Sequence, residues 1–208
     1  SKDATVSVIG SYESQIAWWC SEPDKGIYDA WNKALSRARG EYVCFVGADD
    51  CWSDPEALER LFRALGDRTV DLVTSRARTE YSSWGGAHPL GAAWDYRKVG
   101  PRMPLIHPGL LHHRSLFSRF GAFDTSFQIV GDLEFLLRLP ETTRSIDVAS
   151  VCIIIGVNGL SRNRVLLRLR EQRKALSQCP RYGPLRAYLV WLDKLWRYPI
   201  ARVLGLPH

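Results

Sequence analysis

Ser21-Glu22-Pro23-Asp24-Lys25-Gly26-Ile27-Tyr28-Asp29-Ala30-Trp31-Asn32-Lys33 is a polar loop that feeds a helix. Within one helix length it leads into Gly40-Glu41-Tyr42-Val43-Cys44-Phe45-Val46-Gly47-Ala48-Asp49-Asp50. Within that second run Tyr42–Val46 is a nearly continuous apolar strand, as expected of a sheet covered on both faces. The run ends in two adjacent carboxylates. Open α/β sheets bind their ligands beyond the carboxyl ends of the strands. Hard oxygen ligands placed there suit Mg²⁺ or Mn²⁺, which in turn bind diphosphates.

Working outward, Ile27, Trp31, Ala34, Leu35 and Ala38 recur at helical spacing and form one apolar face. Gly40 is the expected C-cap. Asp54-Pro55-Glu56 opens a second helix, with Asp54 as cap and Pro55 in the first turn. Ala57, Leu58, Leu61, Phe62 and Leu65 are its core face. Val70–Thr74 and Ile146–Val157 read as strands. Ser115–Arg119 and Asp132–Leu139 read as helices, and so do Ser161–Gln178 and Pro184–Leu204. Residues 82–106, with Trp84 and Trp94, are rich in Gly, Pro and Trp and read as a long loop.

These runs resemble the signature of the family 2 glycosyltransferases with the GT-A fold, in the subgroup that builds bacterial polysaccharides, including colanic-acid-type chains. There the first run typically reads S-E-x-D-x-G-I-Y-D-A-M-N-K, and here Trp31 replaces the Met. The strand usually ends N-A-D-D or D-x-D-D, and here Gly47 replaces the Asn or Asp. The run Phe127-Gln128-Ile129-Val130-Gly131-Asp132-Leu133-Glu134-Phe135 resembles the family's F-x-I-A-A-D-Y-D-F. His107 to Phe117, with Gly121 and Phe123-Asp124, resembles H-x-x-x-F-x-R-R-x-L-F-x-x-x-G-x-F-D. The resemblance covers roughly residues 1–161, with its motifs in the family's order. It implies an α/β, GT-A-like fold: a mostly parallel sheet, helices on both faces and C-terminal helices. Residues 1–160 would be the catalytic core and 161–208 a basic helical segment.

The same resemblance sets the reading of the N-terminus. Thr5–Ile9 alone reads as a β-branched strand. Aligned with the family, Ser1–Thr5 is the loop after the second strand, and a helix runs from Thr5 to Ser14 with Asp3 as N-cap. Ile16–Trp19 is then a short strand. The family's first strand, first helix and second strand, with a nucleotide pocket on the first strand, would precede Ser1.

Glycosyl transfer from a nucleotide sugar must neutralise the leaving diphosphate, hold the nucleotide and remove a proton from the acceptor. The resemblance distributes these tasks. Asp49 faces the ribose or the metal and Asp50 the metal, so the pair would hold Mn²⁺ or Mg²⁺; by themselves two aspartates before a helix read equally as caps. Asp24, Lys25 and Gly26 stand at a helix N-terminus, a ready anion site, although all three are also ordinary turn residues. Asn32 either points into the site or satisfies a loop backbone. Asp132 is the base, a role compatible with capping its own helix. Glu134, two residues on, faces elsewhere on that helix and supports the site indirectly. His107 would line the acceptor pocket or bind the metal, Arg114 would meet an acceptor phosphate and Ser161 the acceptor. Each of these three has a structural alternative: a core histidine, a solvated arginine and a helix cap. His112 and His113 read as surface.

The chain has 208 residues, enough for one substantial core. Five cysteines (Cys20, Cys44, Cys51, Cys152, Cys179) form no C-x-x-C pair, which favours reduced thiols over a disulfide framework or a zinc site. No secretory signal pattern is read. The longest apolar run, Val148–Val157, falls short of the ~20 residues a bilayer span needs. The net charge of +6 is uneven: residues 162–208 carry 11 Lys or Arg against 2 acids, which leaves −3 on the rest. The tail interleaves Leu185, Tyr188, Leu189, Leu192, Leu195, Trp196 and Ile200 with basic residues. It reads either as a packed helix or as an interfacial one. No nucleic-acid motif accompanies the charge.

The expected function is inverting transfer from a nucleotide-diphosphate sugar to a glycan or polyprenyl-linked acceptor. The expected location is cytoplasmic, with peripheral contact at the inner face of the plasma membrane through the C-terminal helices. The rivals are a non-catalytic nucleotide- or glycan-binding remnant and a basic membrane- or nucleic-acid-associating module.

Overall fold

The computed structural model describes residues 3–79, 89–156 and 164–204, with side chains up to residue 197. Helix α1 spans Thr5–Ser11. It stops short of the expected Ser14, and its N-cap is Ala4 and not Asp3, whose Oδ1 instead accepts the Thr5 N–H at 3.0 Å and the Thr5 hydroxyl at 2.5 Å just before the helix. Ile16–Trp19, expected as a strand, makes no ladder with any described strand. Ile16 and Trp18 are solvent-exposed, so the segment has no buried face to hold it in register.

Helix α2 (Ile27–Arg37) buries Tyr28 and sets Ile27, Trp31 and Leu35 against the core. It ends at Ala38, whose N–H bonds the Ala34 carbonyl, so Gly40 is not its cap. Helix α3 (Ala57–Leu65) is led in by Asp54, which accepts the Glu56 N–H at 3.0 Å and takes both Arg60 guanidinium nitrogens at 2.7 Å. Helices α4 (Ser115–Phe120), α5 (Gly131–Arg138), α6 (Val165–Gln178) and α7 (Gly183–Leu204) follow close to their expected places. No helix among the described residues is long and apolar enough to cross a membrane.

The five strands are β1 (Tyr42–Val43), β2 (Cys51–Trp52), β3 (Leu72–Thr79), β4 (Leu111–His113) and β5 (Ser145–Ile155), in the spatial order β1-β4-β3-β5-β2. The sheet is mixed rather than mostly parallel. β3 and β5 pair in parallel, from Leu72↔Ser145 to Thr79↔Ile155. The pairs β1–β4, β3–β4 and β2–β5 are antiparallel. The two long strands that apolar runs reveal are the parallel ones. Their antiparallel neighbours are two or three residues long; β1, expected over Tyr42–Val46, is a strand only at Tyr42–Val43, with Phe45 making a lone bridge to Pro108.

The sheet separates two packed layers. Successive strand residues point to opposite faces, and Leu72 and Val73 divide accordingly. Val73 and Leu111 meet α3 through Ala57, Leu61 and Leu65. Leu72 and Leu110 face the larger cluster of Tyr28, Phe45, Phe117, Phe123, Phe127 and Phe135. Leu176 of α6 and Ala187 of α7 belong to that same cluster, so both C-terminal helices are continuous with the core beneath the sheet.

Asn32 locks α2 to this layer. Its Nδ2 donates to the Phe123 carbonyl at 2.8 Å and its Oδ1 accepts the Phe123 N–H at 3.0 Å. Removing the amide orphans two partly buried backbone groups, at about 1–3 kcal/mol each. Asn32→Ala is expected to lower unfolding stability by about 2–4 kcal/mol in urea denaturation. A loss below about 0.5 kcal/mol would show that water replaces the amide.

Candidate active site

The loop after β1 is organised by Asp50. Its amide donates to the Gly47 carbonyl at 3.1 Å, closing a turn. Its Oδ2 accepts the Gly47 N–H at 3.1 Å and its Oδ1 accepts the Gly156 N–H, just past β5, at 3.0 Å. Asp50 therefore ties the acidic loop to the end of the parallel strand pair. Asp49 is exposed, and no hydrogen bond to its carboxylate is found among the described residues. Gly47 leaves room for the two carboxylates: a Cβ there would stand 2.8 Å from Asp50 Oδ2 and 3.2 Å from Asp49 Oδ1, so those side chains would have to shift. The acid that the resembled motif carries at this position cannot fit without displacing the two carboxylates that follow.

The loop before α2 is held by one cation. Lys33 Nζ lies 2.7 Å from Glu22 Oε1, 2.7 Å from Asp24 Oδ1 and 3.4 Å from Asp29 Oδ2. Bonds to Asp24 and then Glu22 hold its ammonium above the usual lysine range. Asp29 also accepts the Lys25 N–H at 3.1 Å, while the Lys25 side chain stands exposed. Gly26 is the N-cap of α2, at φ 134°. Asp24, Lys25 and Gly26 thus lie together at the helix mouth, with Asp24 already paired. Asn32, on the same helix, spends its amide on the Phe123 backbone.

Asp132 sits in the first turn of α5. Its Oδ1 accepts the Leu133 N–H at 2.8 Å and the Tyr28 hydroxyl at 3.2 Å. Burial raises its carboxyl to about 6, and these two bonds favour the charged form and limit the rise. The Tyr28 ring passes directly over Gly131, where a Cβ would meet it at 2.8–2.9 Å. The motif tyrosine of α2 and the candidate base of α5 are therefore in contact, with Gly131 letting the ring approach closely where the resembled motif carries Ala. Glu134 is buried and pairs with Arg138 at 3.1 Å. Burial raises its carboxyl above the ordinary value.

An aromatic row connects this base to the acidic loop. Tyr28 meets Trp31 edge-on at 5.3 Å, and Trp31 packs on Phe45 at 4.7 Å. His107 stacks on Trp31 at 5.1 Å with the rings 14° apart. His107 is buried, and burial lowers it to about 3, so it is neutral. Its Nε2 has no hydrogen-bond partner among the described residues.

His112 and His113 are not surface residues. His112 is fully buried behind Phe117 and Phe135, and burial keeps it neutral. His113 is half-buried and bonds Ser115 Oγ at 2.7 Å. Both were hidden because β4 is too short to show alternation. Arg114 donates to the Ala38 carbonyl at 3.1 Å, closing the end of α2. Ser161 and Trp84 lie outside the described residues.

Among the described residues no group of three or more His, Cys, Asp or Glu side chains is placed to hold a metal ion. Mg²⁺ is commonly held by one or two carboxylates with substrate phosphates completing its shell. The Asp49–Asp50 loop, with Asp49 open, fits that mode. Tyr28, Lys33 and Gly131 were not singled out as site residues. Tyr28 falls at i, i+3, i+4 and i+7 with Trp31, Asn32 and Leu35, a readable inward face, but its partner lies 104 residues away.

The model of the family described as Glycosyl transferase family 2 matches residues 1–126, more than half of the chain. This protein belongs to that family. An uncharacterized glycosyltransferase of Mycobacterium tuberculosis is 26% identical over 178 residues, 79% of this chain and 63% of the relative. The chain thus spans less than two thirds of that relative's length. A PGL/p-HBAD biosynthesis glycosyltransferase of Mycobacterium bovis is 28% identical over 189 residues, covering 88% of this chain and 70% of the relative. Among solved structures, S. aureus TarS 1–349 in complex with UDP superposes with a TM-score of 0.61 at 15% identity, covering 95% of this chain and 60% of TarS. The mannosyltransferase PcManGT from Pyrobaculum calidifontis, in complex with GDP-Man and Mn²⁺, gives 0.61 at 21% identity, covering 98% of this chain and 61% of the enzyme. The fold is α/β and GT-A-like.

Folded Asp132 titrates near 6, above the reference 3.8. The group binds more protons when folded, so its stabilisation is complete below about pH 4 and is lost as pH rises through 6. Asp132→Asn keeps the acceptor oxygen but removes the buried charge. It is expected to gain about 1–3 kcal/mol over wild type at pH 8 and nothing at pH 3.5, by differential scanning calorimetry. A variant less stable than wild type at pH 8 would contradict the raised carboxyl.

Proposed function

We propose that this protein transfers a sugar, with inversion, from a nucleotide-diphosphate sugar to a glycan or polyprenyl-linked acceptor in polysaccharide biosynthesis. The observation that carries the reading is Asp132: a part-buried carboxylate in the first turn of α5, bonded by the Tyr28 hydroxyl of α2 and pushed up to about 6 by burial. A general base works best when its pKa lies near the operating pH. Asp132 takes the proton of the acceptor hydroxyl as that oxygen bonds the anomeric carbon from one face. The bond from that carbon to the diphosphate oxygen breaks on the other face, and the diphosphate leaves with the electron pair. A single base in one direct displacement inverts the centre.

Asp24, Lys25 and Gly26 at the mouth of α2 hold the nucleotide, with the exposed Lys25 ammonium, unpaired among the described residues, meeting its phosphates. Asp49 is the carboxylate open to a divalent cation, Mn²⁺ or Mg²⁺, which when bound neutralises the leaving diphosphate. Asp50 keeps Asp49 in place by anchoring the loop through Gly47 and Gly156. The donors named for the superposed enzymes, UDP-GlcNAc and GDP-Man, support a nucleotide sugar as ligand. Asn32 is assigned no role toward the nucleotide, and Arg114 none toward the acceptor. His107 is assigned a place in the aromatic core behind Trp31 and Phe45. Leu185, Leu189, Leu192 and Trp196 expose one stripe of α7, which suits peripheral contact with a membrane carrying the acceptor, on its cytoplasmic face.

A thermal-shift panel of UDP-, GDP- and dTDP-sugars with and without Mn²⁺ tests the donor site. A ligand at 100 times its Kd stabilises by roughly 2.7 kcal/mol. One nucleotide is expected to give a metal-dependent shift that Asp49→Asn removes and Asp132→Asn retains. In turnover, Asp132→Asn is expected to lose about 10²–10⁴-fold in kcat. No shift with any donor, or full turnover without Asp132, would overturn the proposal.

A further inference from the structure

Glu171 of α6 is a buried carboxylate outside every motif of the family. Its Oε1 accepts the Gln128 N–H at 2.8 Å, and its Oε2 accepts the N–H groups of Ile129 at 2.8 Å and Val130 at 3.1 Å. Three consecutive amides are thereby gathered onto one side chain. Val130 is the N-cap of α5, and its carbonyl accepts the Glu134 N–H at 2.9 Å, the first bond of that helix. Gly131 and Asp132 come next. The carboxylate thus fixes the direction in which α5 begins, at the end of the helix where an anion is electrostatically favoured.

We propose that Glu171 is the positioning residue for Asp132: it holds the 128–130 strap so that the base meets the Tyr28 hydroxyl. The inference rests on Asp132 as the general base. It makes the α6 helix part of the catalytic unit, although α6 contributes no group to the reaction itself.

The surrounding charges are few and identifiable. From α2, the neutral Tyr28 hydroxyl bonds Asp132. From α6, Glu171 faces the strap, and its charge adds to the rise of Asp132. Lys174, one turn on, is drawn off to Ser126 Oγ at 2.6 Å and to the face of Phe127 at 4.2 Å. Arg164 reaches Gln128 Oε1 at 3.4 Å. On α5 itself Glu134 and Arg138 pair with each other, and Asp124 accepts the Ser126 N–H at 2.8 Å.

The test compares Glu171→Gln, Glu171→Asp, Tyr28→Phe and Asp132→Asn in the full chain. The readouts are donor thermal shift, kcat against pH, and the ¹³C-carboxyl NMR titration of Asp132. Glu171→Gln is expected to keep the donor shift and to lose about 10- to 100-fold in kcat, the scale of a misplaced catalytic group. Its acid limb and the Asp132 titration move to lower pH. Tyr28→Phe moves both to higher pH, because it removes a bond to the charged form. Glu171→Asp restores the titration and part of kcat. The inference falls if Glu171→Gln matches wild type in kcat and titration while Asp132→Asn is inactive. It falls equally if neither Glu171 variant folds, which would make the residue a stability element and nothing more. Full turnover in Asp132→Asn would instead sink the base assignment itself.

Discussion

The phenol of Tyr28 lies across the bare Cα of Gly131 and donates to Asp132, and the rest of the site is arranged around that contact. It joins the helix after the Asp24–Gly26 loop to the helix that carries the proposed base. Around it the constraints are steric as well as electrostatic. A Cβ at 131 would stand 2.8–2.9 Å from the ring, so the ring would have to shift to admit it. Any loosening of α2 would move the hydroxyl, which is why Asn32 clamps α2 to Phe123 four residues further along. Phe123 in turn packs on Tyr28 and Phe135, so the clamp and the contact share one aromatic core.

The acidic loop follows a parallel logic. Asp50 gives both carboxylate oxygens to backbone amides, and Asp49 is left open to solvent. Each Asp50 oxygen keeps a lone pair beside its one N–H partner, so Asp50 presents a fixed carboxylate and Asp49 an open one. Division of labour between adjacent aspartates is thus a consequence of loop geometry, with Gly47 as the residue that gives both room. The Glu22, Asp24 and Asp29 carboxylates converge on Lys33 in the same way. Each exposed pair alone contributes little, but together they fix a loop that has no regular structure of its own.

Much of this was legible in the sequence. The helices of residues 27–37, 57–65, 115–120 and 131–138 follow from apolar spacing and caps, and the two long strands from their apolar runs. The family followed from separated motifs in order. Strand direction was not legible, because β1, β2 and β4 are too short to carry a period and their pairing is decided by the sheet. His112 looked like surface beside His113 for the same reason. Single side chains that satisfy distant backbone left no local signal: Asn32 on Phe123, Arg114 on Ala38 and Glu171 on residues 128–130 each bond across tens of residues. Asn32 belongs to a functional-looking motif and proves to be a clamp, whereas Glu171 belongs to no motif and sits behind the base.

The central claim is that the α2 mouth, Asp49 and Asp132 line one site for a nucleotide-diphosphate sugar. The most direct measurement is a crystal structure with the nucleoside diphosphate and Mn²⁺, with the metal located by anomalous scattering. The account predicts a peak within coordination distance of Asp49, at about 2.0–2.3 Å, with the nucleotide at Asp24–Gly26 and Asp132 facing the space beyond the diphosphate. A nucleotide bound elsewhere, or a metal held without Asp49, would contradict it.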